Sequence, residues 1–499
     1  MISIATILLI LTIILTTFYV FNYLFKKNGR LAIIQESYAK MRQAGVPVAG
    51  KTVMGATNYY VTDLTVLKHI FVKDFDHFVN RRFQMPSNDV LVNKMLIFLH
   101  DEQWKGLRSK LSPTFTTGKI KRLFPLFNDS AKKLVAYVDE RMAESPHGEI
   151  DLGDGYSKFT MDTIASAVCG MNSHAFDQLD PSLFELMGKK LQIQFTVKNF
   201  FKFLIVFGLP KVSEWFGITM FEENMHKFFN DGIKSVIKER ISEGRKGNDF
   251  IQLMMEAREN KLVKEEESEL ERFERDAIIK GEVKGQGIDE ALDDDGIVSN
   301  CVLFILAGFD TTQSLLLFCV YALAIYPEIQ DKLRKEVETV LEEGDGDFTY
   351  DSVHKMGYLD MVIHETLRFY PPQPVTDRAC NQDYLLPGTG VTISKKEAIL
   401  VPIIGIHHDE RYYPEPEKFD PERFSPENKG KLNQFAFLPF GQGPRNCIVK
   451  LVIAQLVHNF EIEPSKRTLI PMEYQNGASL KPKGGMWLAL KRRPGTIAT

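Results

Sequence analysis

The chain has 499 residues, 44% hydrophobic and 25% charged, which is enough apolar material for one large core or two modest ones and excludes a disordered or fibrous class. A formal net charge of −4 supplies no overall basic field, so no nucleic acid partner is expected. Five scattered cysteines, Cys169, Cys301, Cys319, Cys380 and Cys447, form no Cys-x-x-Cys pair, which argues against a disulfide framework or zinc site, suits a reducing compartment and leaves any functional cysteine to act alone.

The first 25 residues carry an apolar run from Ile2 to Phe25, about the length a bilayer-spanning helix requires, with Lys26 and Lys27 directly behind it. There is no basic start before the run and no small-residue cleavage site after it, so residues 1–25 read as a transmembrane anchor rather than a removable leader. The two lysines hold the downstream chain on the cytosolic side.

Helical spacing follows over residues 31–44, strand-like alternation over 53–60, and a further helical stretch that opens at Asp63 and runs to Phe71. Helical patterns dominate residues 104–261. Within them, residues 195–207 are dense in phenylalanine and aliphatic side chains, interrupted by Lys198 and Lys202. That composition fits a buried helix or loop as well as it fits a greasy channel lining or a second membrane contact. Residues 256–295 turn highly charged and predict a solvated helix followed by a surface loop.

Residues 297–326 are apolar on nearly every face, so they form either a second membrane helix or a long core helix. Asp310, Thr311, Thr312 and Gln313 lie at their centre, where a carboxylate at bilayer mid-depth costs about 2.5–3.5 kcal/mol. A core helix with its polar cluster facing an internal site is the better reading. Ala307 and Gly308 remove side-chain bulk just before that cluster, so a planar ligand could approach the backbone, and the adjacent acid and hydroxyl could pass protons to it. Small residues inside buried helices also serve packing alone.

Glu365 and Arg368 are three positions apart on a predicted helix, where an exposed pair is worth only ~0.2–0.5 kcal/mol. They are followed, however, by Tyr370-Pro-Pro, Arg378 and Phe419-Asp-Pro-Glu-Arg-Phe424, and arginines buried in such a region need carboxylate or other anionic partners. Beyond Tyr370, turn signals such as Pro387-Gly388 and Pro414-Glu-Pro416 predict short strands and coil. The fold class is therefore mainly α with small β-sheets. Finally, Pro439-Phe-Gly-Gln-Gly-Pro-Arg-Asn-Cys447 places a cysteine on a tight loop whose amides can hold it as thiolate, with Arg445 within reach of an anion.

The order and spacing of Phe440-x-x-Gly443-x-Arg445-x-Cys447, Ala307-Gly-Phe-Asp-Thr311, Glu365-x-x-Arg368 and Phe419-x-x-Glu-Arg-Phe424 resemble the cytochrome P-450 superfamily of haem-thiolate monooxygenases. Val72-Lys-Asp-Phe-Asp-His-Phe78 and Trp104-Lys-Gly-Leu-Arg108 add a likeness to the microsomal, xenobiotic-metabolising clan of insects and vertebrates. The resemblance covers residues 31–499. It implies a triangular, helix-rich catalytic domain with a long central helix over the haem, on the cytosolic face of the endoplasmic reticulum membrane.

By the same resemblance Cys447 is the iron ligand of haem b, and Trp104, Arg108, Arg378 and Arg445 bind its propionates. Ala307 lies against the cofactor, Phe440 packs beside the thiolate, and Glu365, Arg368 and Arg423 form a structural acid–arginine network. Asp310 and Thr311 deliver protons during dioxygen cleavage. Implied partners are an NADPH-cytochrome reductase, a lipophilic small-molecule substrate and membrane lipid. The chain carries no Gly-x-Gly-x-x-Gly or P-loop of its own, so electrons from NADPH require that separate reductase. Lys105, Lys110, Lys119, Lys121 and Arg122 form a basic stretch that could dock an acidic partner or simply be solvated.

Two departures from the family pattern stand out. Family members follow the cysteine with Ile-Gly and a longer helix, whereas here Cys447 is followed by Ile448-Val449-Lys450. About eight residues are missing by that comparison, which removes ~12 Å of helix and leaves a rotation of about 80° in its apolar face. The proline-rich hinge expected after the anchor is also absent, Pro47 being the first proline. An active monooxygenase is the leading expectation, and a haem-binding but catalytically impaired variant is the alternative.

Overall fold

The computed structural model describes residues 29–53, 56–83, 85, 88–145, 147–177, 181–191, 196–259, 292–344, 346–439, 447–475 and 479–494. The expected anchor at 1–25, most of the charged stretch before Asp295, and Phe440 and Arg445 lie outside these residues.

The architecture is organised around the helix Asp294–Ile325. Asp293 caps it by accepting the Gly296 N–H at 2.8 Å, and Asp294 and Asp295 set negative charge against the positive end of the helix dipole. Pro327 cannot continue the ladder and opens the next helix, Pro327–Glu342. Among the described residues this is the helix long and apolar enough to cross a membrane, yet more than half of its apolar window is buried inside the protein. It is the core helix that its central polar cluster predicts.

Two apolar clusters meet along it. Leu315–Ala324 joins the larger cluster, with side chains from Thr117–Glu144, Gly357–Phe369 and Cys447–Asn459. Ile297, Val298, Cys301, Val302, Ile305 and Phe309 join the second, with Leu107, Leu111, Phe184, Phe229 and Phe250. The helix Leu152–Ala167 also contributes to both clusters, and Asp151 caps it through the Gly153 N–H at 2.9 Å. Residues 310–314 of the central helix, its polar stretch, therefore fall at the seam between two cores.

A third cluster lies under a four-stranded sheet ordered Val48–Val53, Ala56–Val61, Ala398–Val401, Thr376–Ala379. Its first and last pairs are antiparallel and its middle pair parallel. The strand expected over 53–60 is largely the second arm of a hairpin, Ala56–Val61, whose residues pair from Val48↔Val61 to Val53↔Ala56. The first arm, Val48–Val53, lies almost wholly before the expected span. Asp63 caps the next helix as expected, accepting from Thr65 and Val66, and the helix ends in a π turn, His69–Lys73.

A three-stranded antiparallel sheet, Glu149–Asp151, Trp487–Arg492, Phe460–Pro464, fastens the C-terminal part to the start of Leu152–Ala167. Beyond Tyr370 short strands do dominate, but the helices Ile403–His407, Pro426–Lys429 and Cys447–Asn459 recur among them.

Candidate active site

One face of the central helix opens near the seam. Ala307 is exposed, Leu303, Phe304, Leu306, Gly308 and Asp310–Thr312 around it are half-buried, and only Ile305 and Phe309 in this stretch are buried. The adjacent Gly308 does something different. A Cβ there would meet Ile164 Cδ1 at 3.3 Å, so this glycine permits close packing against Leu152–Ala167 rather than approach of a ligand. The expectation for the Ala307–Gly308 pair therefore divides: only Ala307 faces the opening.

Thr311 Oγ1 donates back to the Ala307 carbonyl at 2.6 Å, as helical hydroxyls do. Asp310 lies beside it, and its Oδ1 is 2.6 Å from Nζ of Lys481 on the short strand Lys481–Pro482. Lys481 also donates to Gln313 Oε1 at 3.0 Å, while Gln313 Nε2 donates to the Gly153 carbonyl at 2.9 Å. Nothing in the sequence pointed to Lys481, which stands far along the chain in a segment without periodicity.

Trp104 and Arg108 sit one turn apart on Asp101–Leu111, both half-buried. Trp104 packs edge-on to Phe75 with centroids 5.9 Å apart. Burial alone pulls Arg108 below the usual guanidinium range, and no carboxylate among the described residues pairs with it. Arg378 lies on Thr376–Ala379, over the Phe71 ring at 5.0 Å, and donates to the Asp377 carbonyl at 2.8 Å. Burial, and then the nearby Arg81, push its guanidinium down to about 9. Arg81 is itself lowered by burial; it donates to Thr376 Oγ1 at 2.8 Å and is 3.9 Å from the Asp377 carboxylate. Arg81 and Arg378 share the one Asp377 carboxylate, Arg108 has none among the described residues, and desolvating a cation without an anion is costly. The donor set thus fits a ligand carrying carboxylates of its own, and the open face at Ala307 fits a flat one.

The Glu365–Arg368 pair is fully buried. Glu365 and Arg368 form a bidentate pair, with Nε–Oε2 and Nη2–Oε1 both 2.8 Å, and each side chain has 0% exposure. Burial pushes the Glu365 carboxyl up against the pull of Arg368. The Asp420 N–H donates to Glu365 Oε1 at 2.8 Å, Arg368 donates to the His407 and Lys418 carbonyls, and Arg423 Nε stands 3.5 Å from Glu365 Oε1. The three residues expected to form a network are brought together.

His407, which sequence reasoning missed, extends that network. Its Nε2 accepts the Leu438 N–H at 3.0 Å, so the ring proton is assigned to Nδ1, which faces the Arg368 carbonyl at 3.1 Å. Burial, followed by Arg368 and His408, pushes it down to about 3, so it is neutral at physiological pH. Leu438 stands two residues before Phe440, and Phe440 and Arg445 lie outside the described residues.

Cys447 is the first residue of the helix Cys447–Asn459; its side chain is not among those described. Two residues on, Val449 is already buried in the larger cluster, and the buried Lys450 pairs with Asp360 at 2.6 Å. Leu451–Ala454 and Leu456–Val457 have essentially no exposure.

On the surface, Lys105 pairs with Asp76 and Glu102, and Lys121 with Asp351. Of residues 195–207, Val206 is buried and Phe203 and Phe207 pack partly buried on the second cluster, while Phe201 is 40% exposed. The helix Val197–Gly208 is half-exposed, and the next, Pro210–Trp215, ends on Trp215 with 83% exposure beside Phe216 with 67%.

A family model described as Cytochrome P450 matches residues 15–489. Similar curated proteins include Cytochrome P450 6k1 of Blattella germanica, 33% identical over 452 residues, covering 88% of this chain and 83% of that protein. Probable cytochrome P450 6a14 of Drosophila melanogaster is 33% identical over 485 residues, 94% and 91% of the two chains. Cytochrome P450 3A31 of Mesocricetus auratus is 34% identical over 450 residues, 88% and 83%.

Proposed function

The chain belongs to the cytochrome P450 family, with insect and vertebrate relatives of the xenobiotic-metabolising type, and from that premise we propose that it inserts one oxygen atom of dioxygen into a lipophilic small molecule. Electrons come from NADPH through a separate reductase. The observation that carries this reading is a surplus of half-buried cations: among the described residues Arg108 has no carboxylate partner, and Arg81 and Arg378 share a single one, that of Asp377. The propionates of haem b supply the missing negative charge.

When bound, the haem supplies dioxygen activation, with electron donation from the Cys447 thiolate favouring O–O cleavage. Trp104, Arg108, Arg378 and Arg445 hold the propionates, and Phe440 packs beside the thiolate. Ala307 leaves room for the macrocycle against the central helix. Asp310 and Thr311 carry protons from solvent toward the reacting oxygen. Glu365, Arg368 and Arg423 fix the segments behind the ligand loop, and His407 connects them to Leu438.

Residues 1–25 anchor the chain in the endoplasmic reticulum membrane, and residues 31–499 form the catalytic domain on its cytosolic side. The exposed Leu209, Trp215 and Phe216 give that domain a second apolar contact with the bilayer. The lysines left for a reductase are fewer than the sequence suggested, since Lys105 and Lys121 already have carboxylate partners.

One observation favours the impaired-variant reading. The helix that starts at Cys447 is buried from Val449 onward, so little slack separates the ligand from the core. Expression with a reductase, followed by the reduced carbon-monoxide difference spectrum, tests both readings. A thiolate-shifted Soret band that vanishes in Cys447→Ala is expected. A band lacking that shift would sink the assignment of Cys447 as thiolate ligand. Thr311→Ala should keep the band while lowering product formed per dioxygen consumed.

A further inference from the structure

We propose that Lys481 is the positioning residue for proton delivery, holding the Asp310 carboxylate in one orientation beside Thr311; this deepens the reading above and rests on it. Three contacts fix the ammonium. It lies 2.6 Å from Asp310 Oδ1, donates to Gln313 Oε1 at 3.0 Å, and stands 5.8 Å from the centre of the Phe309 ring. Asp310 and Gln313 are three residues apart and share a helix face, so one lysine spans a single turn of the central helix.

Each anchor is itself anchored. Gln313 is buried and its amide nitrogen is committed to the Gly153 carbonyl, which turns its oxygen toward Lys481. The strand bearing Lys481 is tied to the central helix a second time, where Ser314 Oγ donates to the Leu480 carbonyl at 2.5 Å. The Asp310 and Lys481 side chains are only 21% and 18% exposed, so solvent and salt screen this pair far less than a surface pair. A carboxylate gripped at one oxygen by a fixed ammonium loses rotamer freedom, and general acid–base transfer depends on the donor being within hydrogen-bond reach when it is needed. The C-terminal strand pair, distant in sequence from the central helix, thereby joins the proton-handling apparatus.

The test compares Lys481→Met, Lys481→Arg, Ser314→Ala and Asp310→Asn in the full chain. Two readouts are taken: the infrared carboxylate stretch of Asp310, identified by subtracting the Asp310→Asn spectrum, and the product formed per dioxygen consumed. Lys481→Met should shift the infrared band and lower coupling on the order of threefold or more, with KM unchanged. Lys481→Arg should retain both. Ser314→Ala cuts the other tie between the same strand and helix without touching Asp310, and should leave both near wild type.

An unchanged band in Lys481→Met, or a coupling loss in Ser314→Ala equal to that in Lys481→Met, would overturn the proposal. Failure of the underlying reading looks different: Asp310→Asn would then couple as well as wild type. The infrared readout needs no haem, so it decides on the Lys481 contact even where the carbon-monoxide spectrum shows no thiolate band.

Discussion

Arg108 is half-buried on Asp101–Leu111, its guanidinium depressed by burial with no opposing carboxylate among the described residues. Arg108→Leu should therefore act in opposite directions on two states. The haem-free protein should be unchanged or more stable by up to about 1 kcal/mol, while haem should leave about tenfold faster. Denaturant titration of the haem-free form and transfer of haem to an acceptor protein measure the two. His407 makes a different prediction. Its folded-state value of about 3 lies below the 6.5 of an unperturbed imidazole, so its contribution to stability is complete above 6.5 and is lost as pH falls through that window. The slope is about 1.4 kcal/mol per pH unit, or about 2 kcal/mol between 6.5 and 5. His407→Gln, whose side-chain oxygen can still accept the Leu438 N–H, should flatten that acid limb in guanidinium titrations at pH 7 and 5. At this scale the sequence was half legible. Trp104 and Arg108 could be named only through their likeness to a family motif, whereas Lys481 and His407 gain their partners only when distant segments meet.

The helix Gly357–Phe369 shows what spacing conveys and what it leaves out. Glu365 and Arg368 are the right distance apart for an ion pair, but nothing in that spacing says whether water reaches it. Here the carbonyls of His407 and Lys418 and the amide of Asp420 close over the pair and complete its hydrogen bonds. Glu365→Gln should then cost ~3–5 kcal/mol, because Arg368 is left charged, buried and unpaired. The double variant Glu365→Gln with Arg368→Met should recover part of that loss, as read from thermal unfolding and soluble yield. Other elements were legible in part. The alternation over 53–60 marked the second arm of the hairpin, Ala56–Val61, but left out the first, Val48–Val53, whose Gly50 and Lys51 break the apolar pattern. The run after Cys447 folds as the helix expected there, and other helices surround it. The central helix was legible from one feature, a carboxylate at its midpoint that a bilayer would not tolerate.

Across the whole molecule, two apolar clusters share side chains from two helices, Leu152–Ala167 and Asp294–Ile325. The larger cluster holds the helix that begins at Cys447 and the one that bears Glu365, while the second is bordered by the half-exposed Val197–Gly208 and Pro210–Trp215. Native-state hydrogen exchange should show that division: amides of residues 315–324 and 451–457 exchanging only with global unfolding, and those of 197–215 by local opening at far lower free energy. Uniform protection across both sets would contradict it. The fold class could be read from motif order, as could the Glu365–Arg368–Arg423 grouping, but this partition could not, since a cluster has no signature in one dimension. The seam at residues 310–314 also bears on how such a protein changes over generations. Substitutions in the first cluster disturb the helix that begins at Cys447 and the Glu365 network at once, whereas those in the second leave both as they are packed. A lineage built this way can gather its changes on one side of the seam while the other is inherited almost untouched.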